Sequence, residues 1–364
     1  MKIRYLFATA LALASFSLPV SARVVKDTLG VAHDIPDTVD HVICSGPGCL
    51  RLLTYLGVED RVVAVDGMEK RASPFDSRPY ALANPQYKSL PLFGQHLGRD
   101  NPELIMALDP APQVIFKTVG SSGLKPETLQ QKTQIPVIAV QYGDLDGQSD
   151  QFYQALEIMG EALDRKERAD ELIAFFKDTK SDLEARAAAS EKKAPSIYVG
   201  GISYRGSRGL ASTDPVYAPF SALGLQNLAA SKAKASGGHA TTIAKEKLIE
   251  WDPDVILLDL ATLQLGPDAG GQAELMGDPA FQILSARETG QVWGMLPYAL
   301  YTKNFGSILA DAYFIGKLVY PDSFADIDPA KKADEIYRFL LGKPVFDEMN
   351  TIFNGLVFQQ VPVQ

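Results

Sequence analysis

Two stretches of the chain combine residue types suited to holding a small, oxygen-rich solute. In Ser203-Tyr204-Arg205-Gly206-Ser207-Arg208-Gly209, a tyrosine and two arginines alternate with glycines directly after a β-rich run. A guanidinium offers a planar fork for carboxylates and related oxyanions, and a phenol ring stacks on flat ligands. Tyr298 and Tyr301, with Trp293 nearby, form an aromatic group ahead of a helical run. They are expected to wall a ligand cleft. Packing between elements is the alternative, and direct ligation of ferric iron by a phenolate would need several convergent ligands. Arg71 and Lys117 add positive charge from the other half of the chain. Ser45-Gly46-Pro47-Gly48 precedes a helix, so backbone N–H groups around Gly46 can cradle an anionic oxygen. A plain tight strand–helix turn accounts for the same residues. No Gly-Lys-Ser/Thr follows, so it is not a P-loop, and it lacks the dinucleotide glycine spacing.

Other chemistries find less support. His33, His41, His96 and His239 are scattered with no ligand spacing, and a bare transition-metal site needs convergent His and carboxylates. His96, beside an expected cleft loop, is the one to keep in view. Cys44 and Cys49 cannot complete a zinc site alone; they read as either a disulfide or a reduced buried pair. There is no Gly-x-Ser-x-Gly elbow and no His-Glu-x-x-His. No catalytic residue and no resident cofactor is assigned, and the reading is of a binding protein, not an enzyme. An enzyme or a sensor built on the same frame is the competing reading.

The surrounding sequence dictates how these residues are positioned. Lys2 and Arg4, the apolar run Leu6–Leu18 and the small residues Val20-Ser21-Ala22 form a leader over residues 1–22, with Arg23 starting the mature chain. The run is too short for a spanning helix, and no Cys at the cleavage point marks a lipoprotein. The expected location is the periplasm, as a soluble monomer. The formal net charge is −9 with no basic tract, which excludes nucleic acid as a partner. The remainder exceeds one typical core, so two domains are expected.

Short β-rich runs then alternate with helical stretches: strands at His41–Cys44, Arg61–Val65, Gln113–Phe116 and Gln134–Val140, helices at Cys49–Leu56 and Pro102–Leu108. This is the pattern of a parallel sheet with crossovers. Residues 148–190 differ. Phe152, Leu156, Met159, Leu163, Ala169, Leu172, Phe176 and Leu183 recur at helical spacing, predicting one long helix or a helix with one break. After Pro195 the alternation resumes to a final helix over Pro329–Leu341, and the tail after Gly342 is expected to pack back onto the body. The domains are thus an α/β lobe over 23–147, a linker helix over 148–190 and a second α/β lobe with the tail over 195–364. An internal echo joins the lobes. Glu103 opens an apolar helix that ends at Asp109-Pro110 before Val114-Ile115-Phe116, and Glu246 opens one that ends at Asp252-Pro253 before Val255-Ile256-Leu257.

In order along the chain, His41–Gly48, Leu50–Gly57, Arg61–Val65, the Pro102–Phe116 unit, Gly290–Trp293 and the Gly306–Tyr320 helix resemble the class III periplasmic binding proteins of ABC importers, which carry iron–siderophore complexes, haem and cobalamin. The resemblance spans the mature chain. It implies two Rossmann-like lobes joined by one long helix, small opening motions, and a small-molecule ligand held between the lobes, a ferric siderophore foremost and a corrinoid or haem as alternatives. It also implies docking onto a membrane permease through one acidic residue per lobe, the places held here by Glu103 and Glu246. Solvated first-turn glutamates favoured by the helix dipole are the simpler alternative for both. Ligands of parallel α/β lobes sit outside the carboxyl ends of strands. That rule selects the loops at Ser45–Gly48, Asp66–Arg71, Phe93–Gln95, Lys117-Thr118 and Tyr142–Asp144 in the first lobe, and Tyr204–Arg208, Ser212-Thr213, Ala261-Thr262 and Tyr298–Asn304 in the second.

Overall fold

A computed structural model describes residues 22–203, 206–232 and 240–363. The expected leader up to Ser21, together with Tyr204, Arg205 and His239, lies outside the described residues. The chain opens with a hairpin, β1 (Ala22–Lys26) antiparallel to β2 (Ala32–Pro36). Arg23 ties it down, donating to Asp164 and to the Ala162 carbonyl, each at 2.7 Å.

The first lobe is built on a parallel sheet of order β3-β7-β8 (Val42–Ser45, Val114–Thr118, Val137–Val140). Helix α1 (Cys49–Tyr55) follows β3. The expected strand Arg61–Val65 shrinks to β4 (Val65–Asp66), because Glu59–Arg61 forms a 3-10 turn. Val62 still bridges to Val42 and brings β4 beside β3. After α2 (Pro79–Ala83), β5 (Leu92–Gln95) pairs parallel to β4, and β6 (Arg99–Asp100) adds an antiparallel edge. Then α3 (Pro102–Met106) leads to β7, and α4 (Pro126–Thr133) to β8.

Residues 149–188 form two helices, α5 (Ser149–Ala162) and α6 (Lys166–Ala188), with the break at Leu163–Arg165 where Asp164 takes φ +55°. The two pack closely because Gly160 has no side chain: a Cβ there would lie 2.7 Å from Ala169 Cβ. The long helix α6 spans the molecule. Near its start Arg168 donates to the Tyr55 carbonyl, and near its end Arg186 pairs with Asp326.

The second lobe repeats the plan. β9 (Ile197–Gly200) precedes a two-stranded ribbon, β10 (Ser212–Thr213) with β11 (Thr241–Thr242). Helix α7 (Lys245–Trp251) leads into β12 (Val255–Asp259); α8 (Gly271–Gly277) and α9 (Ser285–Glu288) precede β13 (Val292–Met295). The parallel sheet has the order β13-β12-β9. The two strands of the sequence echo, β7 and β12, are thus each the middle strand of their lobe's sheet. Helices α10 (Phe305–Val319), α11 (Pro329–Leu341) and α12 (Phe346–Ile352) follow. The tail packs back as expected: Gln360 and Val357 bridge to Trp293 and Gly294 of β13. None of the described helices is long and apolar enough to cross a membrane.

Alternation along the middle strands decides how the lobes connect. Val114 and Phe116 of β7, and Val255 and Leu257 of β12, enter one large apolar core together with α5, α6 and α10. Ile115 of β7 and Ile256 and Leu258 of β12 face smaller cores on the outer sides of their own lobes. Both lobes therefore share one continuous core along the helical spine. Wide separation of the lobes would expose that core, at about 25 cal/mol per Å² of apolar surface, so the frame permits only small opening motions.

Cys44 and Cys49 are joined in a disulfide, which closes the choice the sequence left open. It pins the end of β3 to the start of α1, beneath the turn bearing Gly46 and Pro47. Replacing both cysteines with alanine is expected to lower unfolding stability by about 2 kcal/mol, the loop-closure value for so short a ring. A urea midpoint unchanged by the substitution would contradict this.

Candidate functional site

At the carboxyl end of the first lobe's parallel sheet lies an open cavity of about 360 Å³, lined by the Pro47 turn, Thr118 at the end of β7 and Ser121 beyond it, Gln141 and Tyr142 beyond β8, and Thr302 from the second lobe. Gln148 and Gln151 of the first turn of α5 complete the wall. Thr118 Oγ1 donates to the Pro47 carbonyl at 3.2 Å. None of these lining side chains carries a charge. The wall offers hydroxyls and carboxamides that both donate and accept, which suits an oxygen-rich solute.

Gly46 abuts this wall. It takes φ +96°, and a Cβ there would stand 3.2 Å from Thr118 Cβ and 3.3 Å from Ser121 Cβ. Gly48 is more constrained still: at φ +81° its Cβ would overlap the Tyr142 ring at 2.2 Å. The turn thus needs glycine at both places, for backbone conformation and for space.

The loop Tyr298–Asn304 crosses to the first lobe and is fastened there. Arg51 is buried on α1; its guanidinium donates to Tyr142 Oη and to the Lys303 carbonyl at 2.7 Å, and lies 5.0 Å from the centre of the Tyr80 ring. Tyr142 Oη donates to the same Lys303 carbonyl at 2.6 Å. Tyr301 Oη donates to Asp66 and accepts from Leu97 N at 2.9 Å. Tyr301 and Thr302 hold φ +52° and +72°, costly for non-glycine residues and maintained by these ties. Thr302 is thereby held against the cavity.

The residues singled out by sequence fare differently. Arg71 and Arg208 are exposed on the loops after β4 and β9, and the Arg208 carbonyl accepts from Thr262 Oγ1 at 2.7 Å. Tyr204 and Arg205 lie outside the described residues. Lys117, expected to reach the ligand, is instead buried. Its ammonium sits 2.5 Å from Asp100 and donates to the Gly98 carbonyl at 3.0 Å and to Ser45 at 3.2 Å. A cation so enclosed is matched to its own carboxylate and is not presented to a solute. Tyr298 is also buried, donating to Asp214 and packing edge-on to Tyr217 at 5.5 Å. Tyr301 is the interlobe tie described above. Trp293 packs on Phe314 at 5.8 Å, not with these tyrosines. His96 is half-buried beside the cleft loop after β5. Among the described residues no group of three His, Cys, Asp or Glu converges to hold a metal ion. Sequence reasoning missed Ser121, Gln141, Gln148 and Gln151, although Gln141 directly follows a strand end, the signal that selected Tyr142.

Behind the second wall, burial pushes Asp259, at the end of β12, up to about 8, only partly offset by the Ala261 N–H at 2.8 Å. Burial raises Asp311 well above the carboxylate range and Asp66 to about 6. A carboxyl raised in the folded state keeps a proton that the unfolded chain releases near pH 4. Its contribution to stability is therefore present at low pH and is lost as pH rises from about 4 to about 8. Asp259→Asn, whose Oδ1 still accepts from Ala261, is expected to flatten that decline and to be more stable at pH 8 by about 2 kcal/mol. Parallel urea curves for both proteins across this range would contradict it.

Residues 42–299 match the family model described as periplasmic binding protein. The chain belongs to that family. Its members bind small-molecule ligands and work with ABC transporter permeases in the periplasm. No curated protein matches the chain in sequence. Among solved structures it is similar to a periplasmic solute binding protein from Veillonella parvula (18% identity, 93% of this chain and 98% of that one, TM-score 0.70). It is also similar to the molybdate periplasmic binding protein MolA of Haemophilus influenzae (20% identity, 88% and 98%, TM-score 0.67). A periplasmic heme binding protein from Pseudomonas aeruginosa is more distant in shape (19% identity, 78% and 93%, TM-score 0.52). At these identities the likeness establishes the fold: the helical-backbone architecture of two α/β lobes.

Proposed function

We propose that this chain is the extracytoplasmic substrate-binding component of an ABC importer, exported by cleavage after Ala22, and that it captures an anionic metal chelate, a ferric siderophore foremost, between its lobes. The observation that carries this reading is the cavity at the strand ends of the first lobe, capped by Thr302 of the second and lined with uncharged hydroxyls and carboxamides. A chelate brings the metal's donors with it, so the protein need supply only hydrogen bonds and a few cations. The molybdate and heme receptors show that this fold accommodates very different cargo, so the cargo is read from the cavity. In this reading the exposed Arg71 and Arg208 supply cations to the solute, and Gly46 keeps the turn close against Thr118 and Ser121 of the cavity wall. Glu103 and Glu246 present the loaded protein to the permease, one from each lobe. Equilibrium dialysis against ferric citrate, a ferric tris-catecholate, ferrioxamine B, haem and cobalamin tests the reading. Retention of a ferric chelate at micromolar concentration or below is expected. Binding of haem or cobalamin alone would move the cargo to a tetrapyrrole, and binding of none would contradict the proposal.

A further inference from the structure

Lys303 combines a fixed backbone with a loosely held side chain. Its carbonyl accepts from both Arg51 and Tyr142, each from the opposite lobe. Its side chain is 41% exposed, and the ammonium lies 3.7 Å from Asp144 Oδ2, beyond hydrogen-bonding distance. Asp144 commits its other oxygen to the start of α5, accepting from Asp146 N at 2.9 Å and Gln148 N at 2.8 Å. The pair stands at a boundary. On one side Thr302 and Gly143, their chain neighbours, line the 360 Å³ cavity. On the other, Lys303 and Asp144 themselves line a second cavity of about 290 Å³, closed by Tyr217, Gln226 and Asn227 of the second lobe.

We infer that Lys303 is the charge-sensing residue of the cleft: its ammonium exchanges the loose contact with Asp144 for an anionic oxygen of the solute, which joins the two cavities into one site. The inference rests on the receptor reading and deepens it by placing the attracting cation at Lys303 in place of the buried Lys117. An ammonium on a four-carbon stem reorients at little cost when its present partner lies at 3.7 Å in a solvated cleft, where such a pair contributes little. The same charge meeting a chelate oxygen in a partly desolvated cavity forms a stronger, charge-assisted hydrogen bond. Asp144 is then a built-in competitor, which disfavours neutral and cationic solutes that cannot replace it.

Titration calorimetry of wild type, Lys303→Met, Lys303→Arg and Asp144→Asn with ferric citrate, a ferric tris-catecholate and ferrioxamine B separates the outcomes. Lys303→Met keeps the length of the side chain, and Asp144→Asn keeps the acceptor for the α5 start. Wild type is expected to bind an anionic probe. Lys303→Met should raise its Kd at least tenfold, Lys303→Arg should hold it within about threefold, and Asp144→Asn should lower it. An anionic probe bound equally by wild type and Lys303→Met overturns the inference and leaves the receptor reading standing, as does a wild type that prefers ferrioxamine B. A wild type that binds none of the three overturns both.

Discussion

Reversing charge at both Glu103 and Glu246, as Glu103→Lys with Glu246→Lys, is expected to abolish solute uptake in cells while leaving solute affinity of the purified protein within about twofold of wild type. Both carboxylates are exposed, and among the described residues neither enters an ion pair. Each stands in the first turn of the helix that feeds the middle strand of its lobe, α3 before β7 and α7 before β12. Exposed apolar residues Leu104 and Met106 accompany Glu103 on α3, a surface suited to a partner. Like charges placed against the cations of a permease repel at the encounter and cost several kcal/mol on docking. The fold itself should tolerate the change: a lysine in a helix first turn costs about 0.3–1 kcal/mol. Each single reversal should weaken transport less than the pair. Uptake by the double variant at wild-type rates would remove these glutamates from the docking surface.

Arg51→Ala is expected to lower unfolding stability by about 3 kcal/mol. The guanidinium is buried and holds Tyr142, the Lys303 carbonyl and, at 3.4 Å, the Leu300 carbonyl, between the rings of Tyr80 and Tyr142. Hydrogen bonds to a charged group contribute about 1.5–3 kcal/mol each, and truncation also leaves a void. The unfavourable burial of the cation offsets part of this gain. Arg51→Lys should recover less than half of the loss, since an ammonium cannot reproduce the fork that reaches two carbonyls and a phenol. Since Arg51 roots Lys303, hydrogen exchange at residues 300–304 should accelerate in Arg51→Ala by tenfold or more, while exchange in β12 changes little. Urea unfolding within 0.5 kcal/mol of wild type, with unchanged exchange in that loop, would contradict the tie.

The general plan was legible because it rests on local signals. The Asp-Pro stops and β-branched runs that mark β7 and β12 act within a dozen residues, and the apolar period over 148–190 marks α5 and α6. The cleft was legible because parallel strands end on the same side of a sheet, so loops after strands must gather there. What escaped is what depends on partners distant in sequence. Lys117 directly follows the expected strand Gln113–Phe116 and so reads as a ligand group, yet Asp100 reaches it from a two-residue edge strand that no periodicity announces. Tyr298 finds Asp214 across 84 residues of the second lobe, and Tyr301 finds Asp66 only through the contact between the lobes. Gln148 and Gln151 line the cavity because α5 starts beside the strand ends, an orientation set by the core under α5 and α6. Short elements such as β4 and β6 carry too few residues to show an alternation.

The proposed cargo, an anionic metal chelate, is open to native mass spectrometry with absorption spectra on protein purified from its own periplasm. A co-purifying ferric chelate is expected, with a ligand-to-metal absorption band and a mass that is lost from Lys303→Met. Protein that leaves the periplasm with a metal-free solute, or empty and indifferent to ferric chelates added afterwards, would contradict it.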